Sequence, residues 1–358
     1  MPSLKEIKGR INSISSTLAI TSAMKMVAAA KLQKAQMAIQ NMLPYERRLH
    51  SMLIDLMGAM NISAAASEDG SVRGSGSAER GFDQSGDRLS LSNRHDLAGM
   101  DGAYSLMAQR EVRKVAIVAF ASNSSLCGAF NSNAIREATA VINEYRASGL
   151  GDADITVYSV GRKMAEAMKK LGFPSPADFT KMSDSPSYDA ASTLAQELFD
   201  GFVSGRFDKV ELVYNHYKST SSQPTTRQTY LPLSLADATA DIQVGKITDS
   251  ASESDTNRGA EPVGAPVVRQ GSPTTEDLIV EPSKEALIAT LLPKVVRLRV
   301  FTTLLDSTAA EQAARTVAMQ LATDNGNDLL QELTLEYNKG RQQKITSEIL
   351  DIVGGSMQ

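Results

Sequence analysis

LKEIKGRINSISSTL, residues 4–18, places Leu4, Ile7, Ile11, Ile14 and Leu18 at alternating steps of three and four. That spacing is the a/d seam of a coiled coil, in which one apolar stripe stays against a partner helix. Further along, the apolar pattern predicts a register shift through Ile20, Met24, Val27 and Ala30, and resumption at Leu32, Ala35, Ile39 and Met42. Such a shift rewinds a supercoil locally. Pro44 lacks a backbone N–H and predicts a bend, after which Leu49, Leu53, Leu56 and Met60 carry the pattern on. At about 1.5 Å per residue, a shaft helix over residues 1–60 spans roughly 90 Å, longer than a globular domain of this size needs. The helix is expected to protrude.

A partner stands at the other end of the chain, over residues 277–358. Ser283 after Pro282 is an N-cap candidate with Glu285 in the first turn, and apart from Pro293 nothing breaks the helix until Gly354. Ala309, Ala310, Ala313, Ala314, Ala318 and Ala322 form a small-residue stretch that lets a backbone approach closely, with Ala28, Ala29 and Ala30 as its facing candidates. Leu330, Leu333, Tyr337, Ile345, Ile349 and Ile352 are expected to add bulkier contacts. Periodicity alone fits two helices of an ordinary bundle equally well. Length and the separation of the ends favour a protruding antiparallel pair.

Between the ends, residues 111–244 read as an alternating α/β domain. Strands are expected at Lys114–Phe120, Ile155–Val160, Lys209–Tyr217 and Arg227–Leu233, the last two as a hairpin across a long polar turn. Helices are expected at Ser132–Ala147, Lys163–Leu171 and Ala190–Phe202. The alternation implies a mainly parallel sheet with crossover helices, a Rossmann-like α/β domain. The fold class expected is therefore α/β, an antiparallel coiled coil of the two terminal helices with that domain between them. Residues 61–110 and 245–276 are rich in Ser, Gly and Asp and read as polar insertions, flexible or loosely structured. A short helix over 94–109 is compatible with the first.

Composition narrows the function. With 42% apolar and 22% charged residues the chain is globular, and no window holds enough uninterrupted apolar residues to cross a bilayer. The N-terminus carries no basic stretch followed by a continuous apolar run, so no secretory signal is expected. The single Cys127 cannot form an internal disulfide, which fits a reducing compartment. His50, His95 and His216 make no metal-ligand spacing. After the first strand the chain runs SNSSLCGAFN, residues 122–131, where Gly128 alone replaces the three spaced glycines of a dinucleotide loop, and no G-x-x-x-x-G-K-[ST] occurs. No histidine stands in a recognisable relation to Cys127. Neither a cofactor nor catalysis is expected on this chain, and the α/β domain reads as scaffold.

Charge is uneven. Residues 1–48 hold Lys5, Lys8, Arg10, Lys25, Lys31, Lys34, Arg47 and Arg48 against Glu6 and Glu46. Such a face seeks an acidic partner, and the scarcity of aromatic residues there favours protein over nucleic acid. A solvated helix face without a partner remains the plain alternative.

Three segments carry a resemblance: ITSAMKMVAAAKL (Ile20–Leu32), LCGAFN (Leu126–Asn131), and AAEQAARTVAMQLATDNG with LTLEYNKGRQQKITSEILDIVGG (Ala309–Gly326 and Leu333–Gly355). In this order they resemble the gamma-subunit family of F-type proton-translocating ATP synthases, over both ends and the middle domain but not the two insertions. The resemblance implies a non-catalytic rotor shaft. Its coiled coil would enter the hexamer of alpha and beta subunits, and its α/β foot would sit with the epsilon subunit on the c-ring of the membrane sector. It places the chain as a peripheral protein on the cytoplasmic face of a bacterial cell membrane. Residue by residue, Met24 and Lys25 match the region that faces the acidic lever of a beta subunit, although packing serves Met24 equally well. Arg341, Gln342 and Thr346 match the catch with a beta-subunit loop, with Asp351 where a Glu is usual. Tyr214–Leu233 resembles the foot segment ending in Leu-Pro-Leu, where Lys218 and Gln223 are candidates for the c-ring or epsilon contact. The loop before LCG departs from the family pattern. It has Asn123, Ser124 and Ser125 in place of an acidic and a basic residue, which puts an ion pair there in doubt. Photosynthetic relatives switch through an insertion with two cysteines, and Cys127 alone excludes that internal disulfide.

Overall fold

The computed structural model describes residues 3–68, 106, 110–233, 281 and 283–355. The insertions expected at 61–110 and 245–276 lie almost wholly outside them, as does the short helix expected over 94–109. Helix α1 covers Leu4–Glu68, unbroken at Pro44 and longer than the expected boundary at residue 60. Strand β1 (Val115–Phe120), helix α2 (Phe130–Ala147), strand β2 (Ile155–Val160), helices α3 (Arg162–Lys170), α4 (Thr180–Asp184) and α5 (Tyr188–Val203), and strands β3 (Lys209–Asn215) and β4 (Thr225–Leu231) follow. Helix α6 (Lys284–Gly355) runs through Pro293. Ser283 caps it as the sequence predicts, its Oγ accepting from the Ala286 N–H at 3.1 Å.

The sheet has the order β2-β1-β3-β4. β1 pairs in parallel with β2 and β3, and β4 closes the edge as an antiparallel hairpin with β3. β1 is buried along its whole length because both faces are covered. Ala116, Val118 and Phe120 face a core completed by Leu194 and Leu198 of α5 and Leu292 and Val296 of α6. Val115, Ile117 and Ala119 face α2 and α3, through Ala134, Val141, Met164 and Met168. Leu49, Leu53 and Leu56 of α1 join the first core. At about 1.5–3 kcal/mol for each fully buried leucine, these three fix the lower part of α1 to the foot.

Above the foot, α1 and α6 run antiparallel. Leu4 lies against Gly340 and Leu18 against Gly326. Thr323 bonds to Thr21 at 3.1 Å, and Leu32 and Ala35 pack on Ala309 and Ala313. The inward positions of α1 run 4, 7, 11, 14, 18, 21, 25, 28, 32, 35, 39 and 42, by threes and fours without a break.

The expected register shift is therefore absent. Ile20 is 60% and Val27 57% exposed, Ala30 is also exposed, and the seam passes through Thr21, Lys25 and Ala28. Leu18 and Leu32 are two whole heptads apart, so a shift between them would have to be undone before Leu32. The more apolar side chains are left outside instead. Of the three facing alanines expected on α1, only Ala28 is buried. The alanine stretch of α6 serves two neighbours, with Ala309 and Ala313 against α1 and Ala310 against Cys127 and Phe130 of the foot.

Candidate functional site: shaft, tip and foot junction

The tip is built by a difference in length. α1 begins at Leu4, opposite Gly340, so residues 341–355 of α6 continue without α1 beside them. At about 1.5 Å per residue that overhang is roughly 22 Å. Ile345, Ile349 and Ile352, expected to pack on the partner helix, are 47%, 55% and 71% exposed, because α1 has already ended. Together with Leu350 and Val353 they make an apolar tip, and Ile20, Met26 and Val27 add a second exposed apolar set on α1. Monomeric proteins seldom expose so many large apolar residues in contiguous patches, and such patches mark surfaces that another chain covers.

Arg341, Gln342, Thr346 and Asp351 are all exposed on the overhang. At 100° per residue Gln342 and Thr346 share a face and Arg341 flanks it, whereas Asp351 lies on the opposite side of the helix from Gln342. The Thr346 hydroxyl donates back to the Gln342 carbonyl at 2.9 Å. The structure thus brings Gln342 and Thr346 together, sets Arg341 to one side of them and leaves Asp351 opposite Gln342. Lys25 is half-buried in the seam and Met24 half-buried beside it. They are about 22 residues of α6, or roughly 33 Å, from Arg341, so one small partner surface cannot touch both groups.

Lys218 and Gln223 lie on the β3–β4 turn, beside the shaft at the level of Gln36 and Asp306. That level is about 30 Å tipward of Leu56, counting twenty residues of α1. Lys218 is exposed there, while Gln223 folds back, its Nε2 donating to Ser219 O at 3.0 Å and Thr220 O at 2.6 Å.

Open α/β sheets take ligands in the crevice beyond the carboxyl ends of their strands. Here the shaft fills it. Cys127 of the loop after β1 and Phe130 at the start of α2 are buried on Ala310 of α6. Arg315, nearly buried, donates from Nη2 to Ser124 Oγ at 2.7 Å and pairs through Nη1 with Glu311 at 2.7 Å. The departure at Asn123-Ser124-Ser125 is thereby explained: a hydrogen bond to Arg315 stands where the family pattern offers charges. Burial pushes the Glu311 carboxyl above the usual range, against the pull of Arg315. Sequence reading missed Arg315 and Glu311, although an i, i+4 charge pair inside an alanine-rich helix was a visible signal. It also missed His216, Tyr217, Asp306 and Gln36, which join the turn to both shaft helices and carry no local pattern.

Comparison with known proteins decides the family. A family model described as ATP synthase matches residues 3–357. The chain is 47% identical to the ATP synthase gamma chain of Phocaeicola vulgatus and 45% identical to that of Bacteroides thetaiotaomicron, in each case over 100% of both chains. The chain belongs to the ATP synthase gamma chain family. Members of this family form the central stalk of the F-type enzyme, and the resemblance read from the three motifs holds over the full length. Solved structures agree at the level of fold. A chain of the Euglena gracilis mitochondrial ATP synthase rotor superimposes with a TM-score of 0.51 at 18% identity, covering 96% of this chain and 98% of that one. A chain of the same organism's OSCP/F1/c-ring assembly gives 0.52 at 18% identity, covering 99% and 93%. The expected fold class, a two-helix shaft with an α/β domain between its strands of sequence, is the one found.

Among the described residues no helix is long and apolar enough to cross a membrane, and no cluster of potential metal ligands occurs.

Proposed function

We propose that this chain is a non-catalytic shaft whose tip turns inside a ring of alpha and beta subunits while its foot rides, with the epsilon subunit, on the c-ring at the cytoplasmic face of the membrane. The observation that carries this reading is the apolar overhang of α6, where Ile345, Ile349, Leu350 and Ile352 are exposed, together with a second exposed apolar set of Ile20, Met26 and Val27 on α1. A stiff rod with an apolar end suits a bearing, and the filled crevice of the α/β domain leaves that domain to serve as scaffold. One asymmetric chain inside a pseudo-threefold ring cannot touch three catalytic sites alike, so each orientation favours a different conformation at each site. A proton moving through 100 mV gains about 2.3 kcal/mol, so several must be pooled through a stiff element for each ATP released.

Within this reading Lys25 meets the acidic lever of a beta subunit, with Met24 packing beside it. Arg341, Gln342 and Thr346 form a catch with a beta-subunit loop, and Asp351 reaches a different subunit surface. Lys218, exposed on the turn beside the shaft, is the one of the earlier pair left to meet the epsilon subunit or the c-ring, while Gln223 braces the turn. Exposed polar contacts are worth about 0.2–1 kcal/mol each, so Arg341→Ala or Gln342→Ala is expected to change the coupling of hydrolysis to pumping more than assembly.

The deciding experiment adds the chain to purified alpha and beta subunits of the same organism and follows ATP hydrolysis. A severalfold rise in steady turnover, with a stable complex holding one copy per hexamer, is expected. No association and no stimulation would overturn the reading. In the same assay, Ile20→Ser with Val27→Ser is expected to weaken association of the chain with the hexamer about tenfold or more, since each loses on the order of 1 kcal/mol or more of apolar burial. Unchanged association would mean that this face is not in the ring.

A further inference from the structure

The β3–β4 turn grips both shaft helices at once. Asp306 of α6 receives the Tyr217 backbone N–H on Oδ1 at 2.9 Å and meets His216 Nδ1 with Oδ2 at 2.6 Å. The Tyr217 hydroxyl accepts from Gln36 Nε2 of α1 at 2.7 Å. The turn is itself braced: His216 N bonds to Pro224 O at 2.9 Å and Ser222 N to Ser219 Oγ at 3.1 Å. Tyr217 also packs among Leu32, Ala35, Ala309 and Ala310.

Position gives these bonds their meaning. Leu49 anchors α1 to the foot core, and Gln36 is thirteen residues, roughly 20 Å, nearer the tip. Anchors at one level constrain the tilt of a rod less than anchors at separate levels do, and on α6 the Arg315–Ser124 bond already supplies one such tie. A second, directional anchor some distance along the rod fixes its angle. The grip is off the helix axes and on both helices, where it opposes rotation of either one against the foot.

We propose that the β3–β4 turn is a clamp that locks the shaft to the foot, with His216 and Tyr217 as its positioning residues and Asp306 and Gln36 as their anchors. Foot, α1 and α6 then turn as one body, and the grip is tightest while His216 carries its proton. This rests on the rotor reading above.

The charged groups facing His216 are Asp306 from α6 and Lys218 from its own turn. The side chain that reaches the turn from α1 is the uncharged Gln36. The hydrogen bond to Asp306 holds the imidazole above its ordinary value of 6.5, against burial and Lys218. A group raised on folding contributes fully below its unfolded value and loses that contribution as pH rises through the folded one. The clamp therefore loosens on the alkaline side.

The test uses assembled enzyme containing this chain, with the alpha and beta ring fixed to a surface and a bead on the c-ring. The angular fluctuation of the bead is recorded in nucleotide-arrested complexes between about pH 6 and pH 9, a span that brackets the ordinary histidine value. Asp306→Ala is expected to widen the angular variance at least twofold with ATP hydrolysis retained. Wild-type variance is expected to rise with pH, and His216→Gln to stay at the wide level throughout. If Asp306→Ala does not assemble, Tyr217→Phe, which deletes one hydroxyl, decides the matter through its own wider variance. Variants with wild-type variance and pH profile would overturn the clamp. A wild-type chain that neither assembles nor drives pumping would overturn the rotor reading instead.

Discussion

Glu211→Ala is expected to lower the stability of the foot by about 3 kcal/mol, because Lys209 loses its carboxylate and Arg227 is left with Glu144 alone. Glu211 on β3 is 1% exposed. Its Oε2 accepts from Arg227 Nε at 2.6 Å and its Oε1 from Arg227 Nη2 at 3.0 Å, Lys209 Nζ at 2.7 Å and the Tyr145 hydroxyl at 2.5 Å. Arg227 also reaches Glu144 of α2, so the cluster ties helix to sheet edge. A thermal melt of the full chain is the check. At about 2–4 °C per kcal/mol for a chain of this class, the midpoint should fall on the order of 10 °C. A fall within about 2 °C would mean that solvent already compensates the pair.

The same carboxylate sets an acid limit. Burial alone would raise its titration, but the bonds from Arg227, Lys209 and Tyr145 outweigh it and hold the group below its ordinary 4.5. A depressed carboxylate contributes above its unfolded value and loses that contribution as pH falls through the folded one. Wild-type stability is thus expected to drop below pH 4.5 more steeply than that of Glu211→Gln. Parallel acid limbs would contradict the assignment.

Gly161→Ala is the second large effect, expected at about 3 kcal/mol or more. Gly161 joins β2 to α3 with φ +98°, a region that side chains rarely adopt, and a Cβ there would stand 2.0 Å from the Ala121 carbonyl oxygen. That oxygen is backbone at the end of β1 and also receives the Ser183 hydroxyl at 3.1 Å, so it cannot step aside cheaply. Chemical denaturation should show a lower midpoint with an unchanged slope. A loss below about 1 kcal/mol would show that the β1 end yields.

Much of this architecture is local and so was legible. The hairpin of β3 and β4 and the parallel pairing of β1 and β2 followed from short apolar runs separated by helical periods, and the cap at Ser283 from a single residue beside Pro282. The candidate site was less so. The resemblance located Arg341, Gln342 and Thr346 but not the end of α1 opposite Gly340, which is what leaves them exposed on a tip beyond α1. At Ile20–Ala30 the hydrophobic pattern misled, since Ile20, Val27 and Ala30 point outward while Thr21, Lys25 and Ala28 hold the seam. An apolar residue awaiting another subunit looks, in one sequence, like an apolar residue awaiting its own core.

By itself the sequence determined two long helices at the ends, an alternating α/β domain between them, and the absence of a glycine-rich phosphate loop. These follow from periods of two and of three to four residues and from spacing within a few residues, which are properties of a segment. Tertiary structure alone decided the unbroken heptad register, the overhang beyond residue 340, the filling of the sheet crevice by Arg315, and the grip of His216 and Tyr217 on Asp306 and Gln36. Each of these depends on where residues about ninety to more than three hundred positions apart come to lie. Such placement is set by the packing of whole helices on the foot, and no local rule of propensity or pattern contains it.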